Sequence, residues 1–587
     1  MSAEDRADKA DTTAKAEAAT TAIRRKSRLT ELSGLVVAVF GLLAFAYLTV
    51  PAVDSDYGWH VANGRHLLDG QLFAGADTYS WTAAGATWIA HEWLTEGVMA
   101  FLHDSIGPTA NSLLAGALAT MAILLTLARL RLRGFGVAIA VVVGLLALLD
   151  AGAIVSVRPL VVEVFAVALL LWLIDAWRAG GIETRRFAVV VVLEFLIWAN
   201  NHGSFVLGLA VLGATWVSLI IERDQRARVV GIVGVGAALV TLTNPFGLRL
   251  IGYVASAVTG SRLELIAEWA PPDLVASMWW PFVAALVLGA LGVLCAHRAH
   301  RTLGVLGGLS GLGRFPSTAR PTGPGSRSAS RSAPHRVRLD DALVAVAMGI
   351  MGIQHAYHAG LFGIIAAPAI AGGIEAGIAA PAIAAGVATI SGCGRRTPRY
   401  NPGDREGPGG RVGGAIEPET RRRINLALLG LVALLVGSLV WARVGPLNTE
   451  AAMRSEYPIA ALPALDELAA ARPGGLCLFN DYAWGGWLEM VRPGIRVFID
   501  GRSEVYGDAQ VARYAKISGV GPGWAEALAA TGANAALVPR SSDLASALRA
   551  TADWTTLYID DQAVLLSLAT SETVPGPGAV SAPCLPR

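Results

Sequence analysis

Val53-Asp54-Ser55-Asp56-Tyr57-Gly58-Trp59-His60 follows directly on the apolar run from Gly34 to Ala52. A run of that kind is long enough to cross a bilayer as a helix, which takes about 20 apolar residues. Two carboxylates, an indole and an imidazole therefore stand where a membrane helix emerges. Ionisable groups at that depth are expensive and point to a functional site. The bland alternative is a solvated loop whose Trp59 anchors the helix at the headgroups.

The rest of the chain has the composition of a polytopic membrane protein. Of its 587 residues, 54% are hydrophobic and 16% charged, and the mean hydropathy is +0.51. A net charge of +2, with no basic run interleaved with aromatics, gives no reason to expect a nucleic-acid partner. Cys295, Cys393, Cys477 and Cys584 lie far apart and show neither metal-ligand nor disulfide spacing.

Residues 1–32 read as a disordered tail. Arg24, Arg25, Lys26 and Arg28 place that tail in the cytoplasm. Further apolar runs fall at 107–128, 134–150, 159–177, 187–200, 203–221, 229–243, 279–296, 341–355, 357–375 and 424–442. With the first run they make about eleven spans, an odd number that puts the C-terminal part outside the cell membrane. Arg129, Arg131, Arg133, Arg178, Arg185, Arg186, Arg223, Arg226 and Arg228 then fall inside. The Arg-rich segment 297–340, full of Gly, Pro and Ser, reads as a disordered cytoplasmic linker, and the Arg-rich linker 393–423 is also expected inside. The Gly/Ala-rich stretch 376–392 reads as re-entrant or as a poorly packed extra span. The membrane domain is thus 33–443, with a first outer loop at 53–106. A small extracytoplasmic α/β domain at 444–570 and a disordered tail at 571–587 follow.

This topology gathers polar residues on one face. His60, His66, His91, His103, His202, His355 and His358 all fall on the outer side. Asp150 and Arg158 bracket an outer tip, and Glu163 and Glu194 lie in the outer halves of helices. Convergence at one membrane surface suggests a cavity open to that side. In the first outer loop, Asp54, His60, His91 and Glu92 offer oxygen and nitrogen ligands to a divalent cation. A carboxylate-rich set of this kind suits Mg or Mn.

Asp56-Tyr57-Gly58-Trp59-His60, followed by Gly64-Arg65-His66-Leu67-Leu68-Asp69-Gly70, is similar to the first-loop acidic motif of oligosaccharyltransferase catalytic subunits. The long first loop, many spans and outer C-terminal domain resemble the GT-C glycosyltransferases, including bacterial polyprenyl-phosphate-sugar transferases. The resemblance implies a catalytic role for Asp56, or for Asp54 in a shifted register. It also implies a polyprenyl-phosphate-linked sugar donor and an envelope glycan, lipid or protein acceptor. The chain departs from the pattern by lacking a second Asp-x-Asp in the next outer loop, where only Asp150 stands, so metal dependence stays open.

The chemistry asks for the same residue types. Glycosyl transfer passes through an oxocarbenium-like state, and a carboxylate can take the proton of the incoming hydroxyl. The leaving phosphate needs a cation. Arg158 is the outer-face candidate, because a guanidinium fork matches phosphate geometry, with His202 as a helper.

Beyond 444 the pattern turns soluble. Strands are expected at 475–479, 495–499 and 533–538, helices at 463–471, 508–517, 524–531 and 542–550, and a hairpin around Asp560-Asp561. Asp481 and Tyr482 follow the first strand, and Asp500 and Arg502 follow the second. Ligands of α/β sheets sit beyond such strand ends, so these residues are the acceptor-side candidates. The alternative is that Asp500 and Arg502 are a buried pair pinning a turn. Asp481-Tyr482-Ala483-Trp484-Gly485 is loosely similar to the acceptor-side motif of oligosaccharyltransferases, but Phe479-Asn480 stand where that motif begins with Trp, so peptide-sequon recognition does not carry over. The rival to an enzyme is a non-catalytic polytopic protein that binds or transports envelope glycan or lipid.

Overall fold

The computed structural model describes residues 32–71, 75–259, 270–310, 337–384, 417–472 and 475–569. Every expected apolar run lies on a helix. In chain order these are α1 (Leu32–Leu48), then, after two helices of the first loop, α2 (Tyr57–Leu68) and α3 (Trp93–Ser105), α4 (Pro108–Leu132), α5 (Val137–Gly152), α6 (Leu160–Arg178), α7 (Thr184–Ala199), α8 (Phe205–Ile221) and α9 (Arg226–Val240). A helix not foreseen, α10 (Leu248–Thr259), precedes α11 (Trp280–Ser310), α12 (Leu339–Gln354), α13 (Ala356–Ile365), α14 (Ala367–Ala384) and α15 (Pro418–Val444).

Among the described residues, four helical stretches are long and apolar enough to cross a membrane, and α13 with α14 makes a fifth if the pair is one span. The pair bends by 67°. Pro368 sits in the first turn of α14, where its ring blocks continuation of the preceding helix. α1, α5 and α8 are apolar but shorter. The first run, for example, leaves the helix at Leu48 and continues as an irregular chain to Asp54.

Three boundaries differ from expectation. α11 continues past 296 to Ser310, and residues 418–423 are the first turns of α15 rather than linker. The described part of 376–392 simply continues α14, so no separate re-entrant element starts at 376. The linker segments 311–336 and 385–416, and both tails, lie outside the described residues.

The arginines expected at the inner face are also differently employed. Arg129 and Arg133, one turn apart on α4, are buried in a lattice with Asp175 (2.9 and 2.7 Å) and Asp341 (2.9 and 3.0 Å). Arg338 joins Asp175 at 2.7 Å and Arg178 joins Asp340 at 2.7 Å. The lattice ties α4, α6 and α12 together at the end of the bundle away from the first loop. Its charges neutralise one another, so they are not free headgroup charges.

After α15 come α16 (Pro446–Glu456) and α17 (Leu462–Ala470). Then follow β1 (Leu478–Asn480), α18 (Tyr482–Val491), α19 (Ser503–Ser518), α20 (Trp524–Ala529), β2 (Ala535–Pro539), α21 (Asp543–Arg549), β3 (Trp554–Ile559) and β4 (Ala563–Leu568). The sheet order is β1-β2-β4-β3, with β1 parallel to β2 and the other pairs antiparallel. The β3–β4 hairpin turns at Asp560-Asp561 as expected. Its side chain Asp560 accepts from the amides of Gln562 and Ala563, as Asp does in a tight turn.

Residues 495–499 do not join this sheet. Val497 bridges instead to Ser80 of the first loop: its amide donates to the Tyr79 carbonyl and its carbonyl accepts from Trp81, both at 3.1 Å. Trp81 Nε1 donates to the Leu478 carbonyl at 3.1 Å. The first loop is therefore stitched onto the C-terminal α/β layer.

Candidate active site

The site is built where α1, the first loop, α6 and the α/β layer meet. Asp56 is the N-cap residue of α2, yet its side chain makes no capping bond. The carboxylate instead accepts from Trp59 Nε1 at 3.2 Å and from Arg158 Nη1 at 3.1 Å. Asp54 holds the Asp56 amide at 2.9 Å and lies 3.8 Å from Arg158 Nε. Arg158, just ahead of α6, thus sits between the two carboxylates expected to share the chemistry.

Glycines explain how the layers come this close. A Cβ on Gly501 would strike the Asp56 carboxylate, one on Gly58 would overlap the Gly486 backbone, and one on Gly486 would meet Ser55 and Trp59. Tyr482 donates to the Gly501 carbonyl at 3.3 Å. Gly486, which follows the Asp481-Tyr482-Ala483-Trp484-Gly485 pattern, forms the seam between α18 and α2.

Behind Asp56 lies a second, enclosed group. His60 Nδ1 is 3.1 Å from Glu96 and 3.8 Å from Glu92, and Asn63 donates to Glu96 at 2.5 Å. His202 bridges outward, 3.4 Å from Glu92 and 3.3 Å from Glu163, and Tyr357 hydrogen-bonds Glu163. His60 is 2% exposed, Glu92 9% and Glu96 1%. Burial pushes the Glu92 carboxyl well up and the Glu96 carboxyl up to about 8, and it holds His60 well below the ordinary imidazole range. Burial also lowers His91 to about 4 and His202 to about 3.

One nitrogen and two carboxylate oxygens from His60, Glu92 and Glu96 lie within 4.8 Å of one another. These are plausible donors for a divalent cation, and a mixed imidazole–carboxylate set leans toward Mn over Mg. Of the expected ligands Asp54, His60, His91 and Glu92, the structure brings His60 and Glu92 together. Asp54 is turned to Arg158, and His91 lies 4.0 Å from Glu92 with its Nδ1 on the Ile89 carbonyl. Glu96 was missed. Its signal was its place one helical turn after Glu92, on the same face.

The acceptor-side candidates separate. Asp481 caps α18, accepting from the Ala483 amide at 3.0 Å, and both it and Tyr482 are half-buried. Asp500 and Arg502 have no exposed surface. Arg502 is ion-paired to Asp500 (2.6 Å), Asp77 (2.9 Å) and Glu489 (3.3 Å), and it lies between the rings of Tyr79 and Trp88 at 4.8 and 4.7 Å. Burial works against the Asp500 charge but Arg502 outweighs it and holds the carboxyl low, while burial and Asp500 raise Glu489. Asp77 and Glu489 had no sequence signal as partners, because one comes from the first loop and the other from α18, neither adjacent to Arg502 in sequence.

No family model and no curated protein sequence matches the chain. Solved structures do. Two are the oligosaccharyltransferase of Archaeoglobus fulgidus tethered with an acceptor peptide (13% identity, TM-score 0.49, 87% of this chain and 70% of that one) and ArnT from Cupriavidus metallidurans bound to undecaprenyl phosphate (15%, 0.44, 93% and 98%). A further match is the archaeal oligosaccharyltransferase AglB from Archaeoglobus fulgidus, in complex with an inhibitory peptide and a dolichol-phosphate, at 12% identity and a TM-score of 0.51. That match covers 93% of this chain and 75% of the other. The chain therefore has the fold of the archaeal oligosaccharyltransferase, which is the architecture that the acidic motif after the first helix led us to expect.

Proposed function

We propose that the chain is an integral membrane glycosyltransferase. It moves a sugar from a polyprenyl-phosphate donor to a cell-envelope glycan, lipid or protein on the outer face of the cytoplasmic membrane. The observation that carries this reading is Asp56. It is an uncapped carboxylate at the mouth of a membrane helix, within reach of one guanidinium from the membrane core and pressed against Gly501 of the α/β layer. The similar archaeal enzyme was solved with a dolichol-phosphate, which is a donor lipid's leaving group. Cys477 is disulfide-bonded, which the sequence spacing had not suggested and which fits an oxidising outer compartment.

In this reading Arg158 exchanges partners. The arriving donor phosphate competes with Asp56 for its guanidinium, and Asp56 is released to act as base. The acceptor oxygen forms the new bond to the anomeric carbon as the bond from that carbon to the phosphate oxygen breaks. The electron pair stays on the phosphate beside Arg158, and the acceptor proton passes to Asp56. His202, kept neutral by burial, holds Glu92 in place and can donate a hydrogen bond toward the phosphate. Tyr482 and Asp481 stand on the acceptor side, while Asp500 and Arg502 serve it indirectly by fixing the loop. A cation held by His60, Glu92 and Glu96 would supply Lewis-acid stabilisation of developing negative charge.

The test is release of polyprenyl phosphate by the purified chain across a panel of polyprenyl-phosphate sugars. Asp56→Asn keeps size and removes the base, so turnover should drop ~100- to 10,000-fold with donor binding kept. Asp54→Asn should do less. Wild-type turnover in Asp56→Asn would move the protein to the non-catalytic class.

A further inference from the structure

A second concave surface lies away from this site. It is a groove of about 930 Å³ between α1 and α4. Gly34, Ala38 and Gly41 recur along one face of α1, and Ala117 and Leu124 line the facing wall on α4. Gly34 and Ala38 leave space along that wall, and Gly41 lets Leu124 of α4 approach closely. The groove's lining from Ser33 to Phe45 covers twelve residue steps of α1, which at 1.5 Å per residue is roughly 18 Å. That is more than half the ~30 Å thickness of a hydrocarbon core.

One end of the groove is charged. Arg131, near the C-terminus of α4, lines it and is exposed. Arg131 Nη1 donates to the Phe135 carbonyl at 2.5 Å, and its other N–H groups hold no partner among the described residues. The remaining arginines of this end, Arg129 and Arg133, are neutralised inside the Asp175/Asp341 lattice. A cation kept out of that lattice, at the mouth of an apolar trough, matches a ligand with an anionic head and a hydrocarbon tail.

We infer that this groove is a binding site for one anionic phospholipid, with its phosphate on Arg131 and an acyl chain along Gly34, Ala38 and Gly41. Its charged end, at Arg131, lies at the end of the bundle away from Asp56, so a phosphate held there belongs to a resident lipid and not to the sugar donor. The site does not depend on the proposed transferase activity.

The experiment uses the full chain in detergent, delipidated and then titrated with phosphatidylglycerol or phosphatidylcholine of identical chains, read by native mass spectrometry. One tightly held lipid per chain is expected, with phosphatidylglycerol preferred about 5-fold, the size of one surface cation's pull on an anionic lipid. Arg131→Gln should abolish the preference and keep a bound lipid. Ala38→Phe and, on the opposite wall, Ala117→Phe should each abolish the tight site, with melting temperatures confirming that each variant is folded. Equal binding of the two lipids by wild type would overturn the inference. So would a folded Ala38→Phe and a folded Ala117→Phe that both bind phosphatidylglycerol like wild type.

Discussion

Arg502→Ala tests whether the α/β layer and the first loop are one mechanical unit. Arg502 has no exposed surface and is the shared cation of Asp500, Asp77 and Glu489. Glu489 is already pushed toward its neutral form by burial and Asp500, so the substitution strands chiefly Asp500 and Asp77. Both keep other donors: Tyr506 hydrogen-bonds Asp500, and Ser80 Oγ donates to Asp77 at 2.6 Å. Breaking one side of a buried pair costs about 3–5 kcal/mol. A cooperative unit of 150–250 residues loses about 2–4 °C per kcal/mol, so the melting temperature should fall on the order of 6–20 °C. The cost should also be shared with the loop. In a double-mutant cycle, Asp77→Asn should remove part of what Arg502→Met costs, leaving a coupling above about 0.5 kcal/mol. The assay is thermal unfolding of the full chain in detergent, followed by near-ultraviolet circular dichroism. A shift under 2 °C in Arg502→Ala, or strictly additive effects in the cycle, would refute the reasoning.

Gly501→Ala should preserve expression and melting temperature within the ~1–3 kcal/mol cost of an overpacked contact, yet impair sugar transfer, because its new methyl displaces the Asp56 carboxylate; kinetics on the panel donors check this. Glu489 carries a raised carboxyl pKa, so the stability it contributes is full below about pH 4.3, its ordinary value, and is lost as pH rises toward its folded value. Glu489→Gln should therefore flatten the alkaline decline of a melting-temperature profile. If a cation sits at His60, Glu92 and Glu96, stripping with a chelator should abolish turnover and Mn should restore it better than Mg, with Glu96→Gln weakening Mn binding measured by calorimetry. A reporter fused after Leu568 that works only outside the cytoplasm should be active.

The helices were legible because their signal is local. Apolar length alone located all the expected membrane-domain elements, and Leu462–Ala470, Asp543–Arg549 and the turn at Asp560 followed from periodicity and turn chemistry. The errors fall where a segment's partner is distant in sequence. Residues 495–499 form a short apolar run like a strand, but such a run says nothing of which edge it meets, and the partner of Val497 is Ser80 of the first loop. α2 was read as loop because Tyr57 to Leu68 has little amphipathic pattern of its own; it is helical because Gly58 and Gly64 let it lie flush against Gly486 and Glu96. Charge counting was least informative where charges pair. Arg129 and Arg133 looked like topology signals and proved to be a buried lattice with Asp175 and Asp341.

The same distinction bears on the candidate site. Asp54, Asp56 and Arg158 were each visible from their place relative to a membrane helix, and the fold brings them to within 3.1–3.8 Å of one another's charges. What the helix ends did not specify is the wall behind them. Gly501 is held against Asp56 by Arg502, which pairs with Asp500 on the other side of the glycine and with Asp77 of the first loop. A turn held by charges from two layers transmits a displacement of either layer to the carboxylate it touches. A ligand docked against the α/β layer would therefore have a direct mechanical route to Asp56 through the Asp500-Gly501-Arg502 turn.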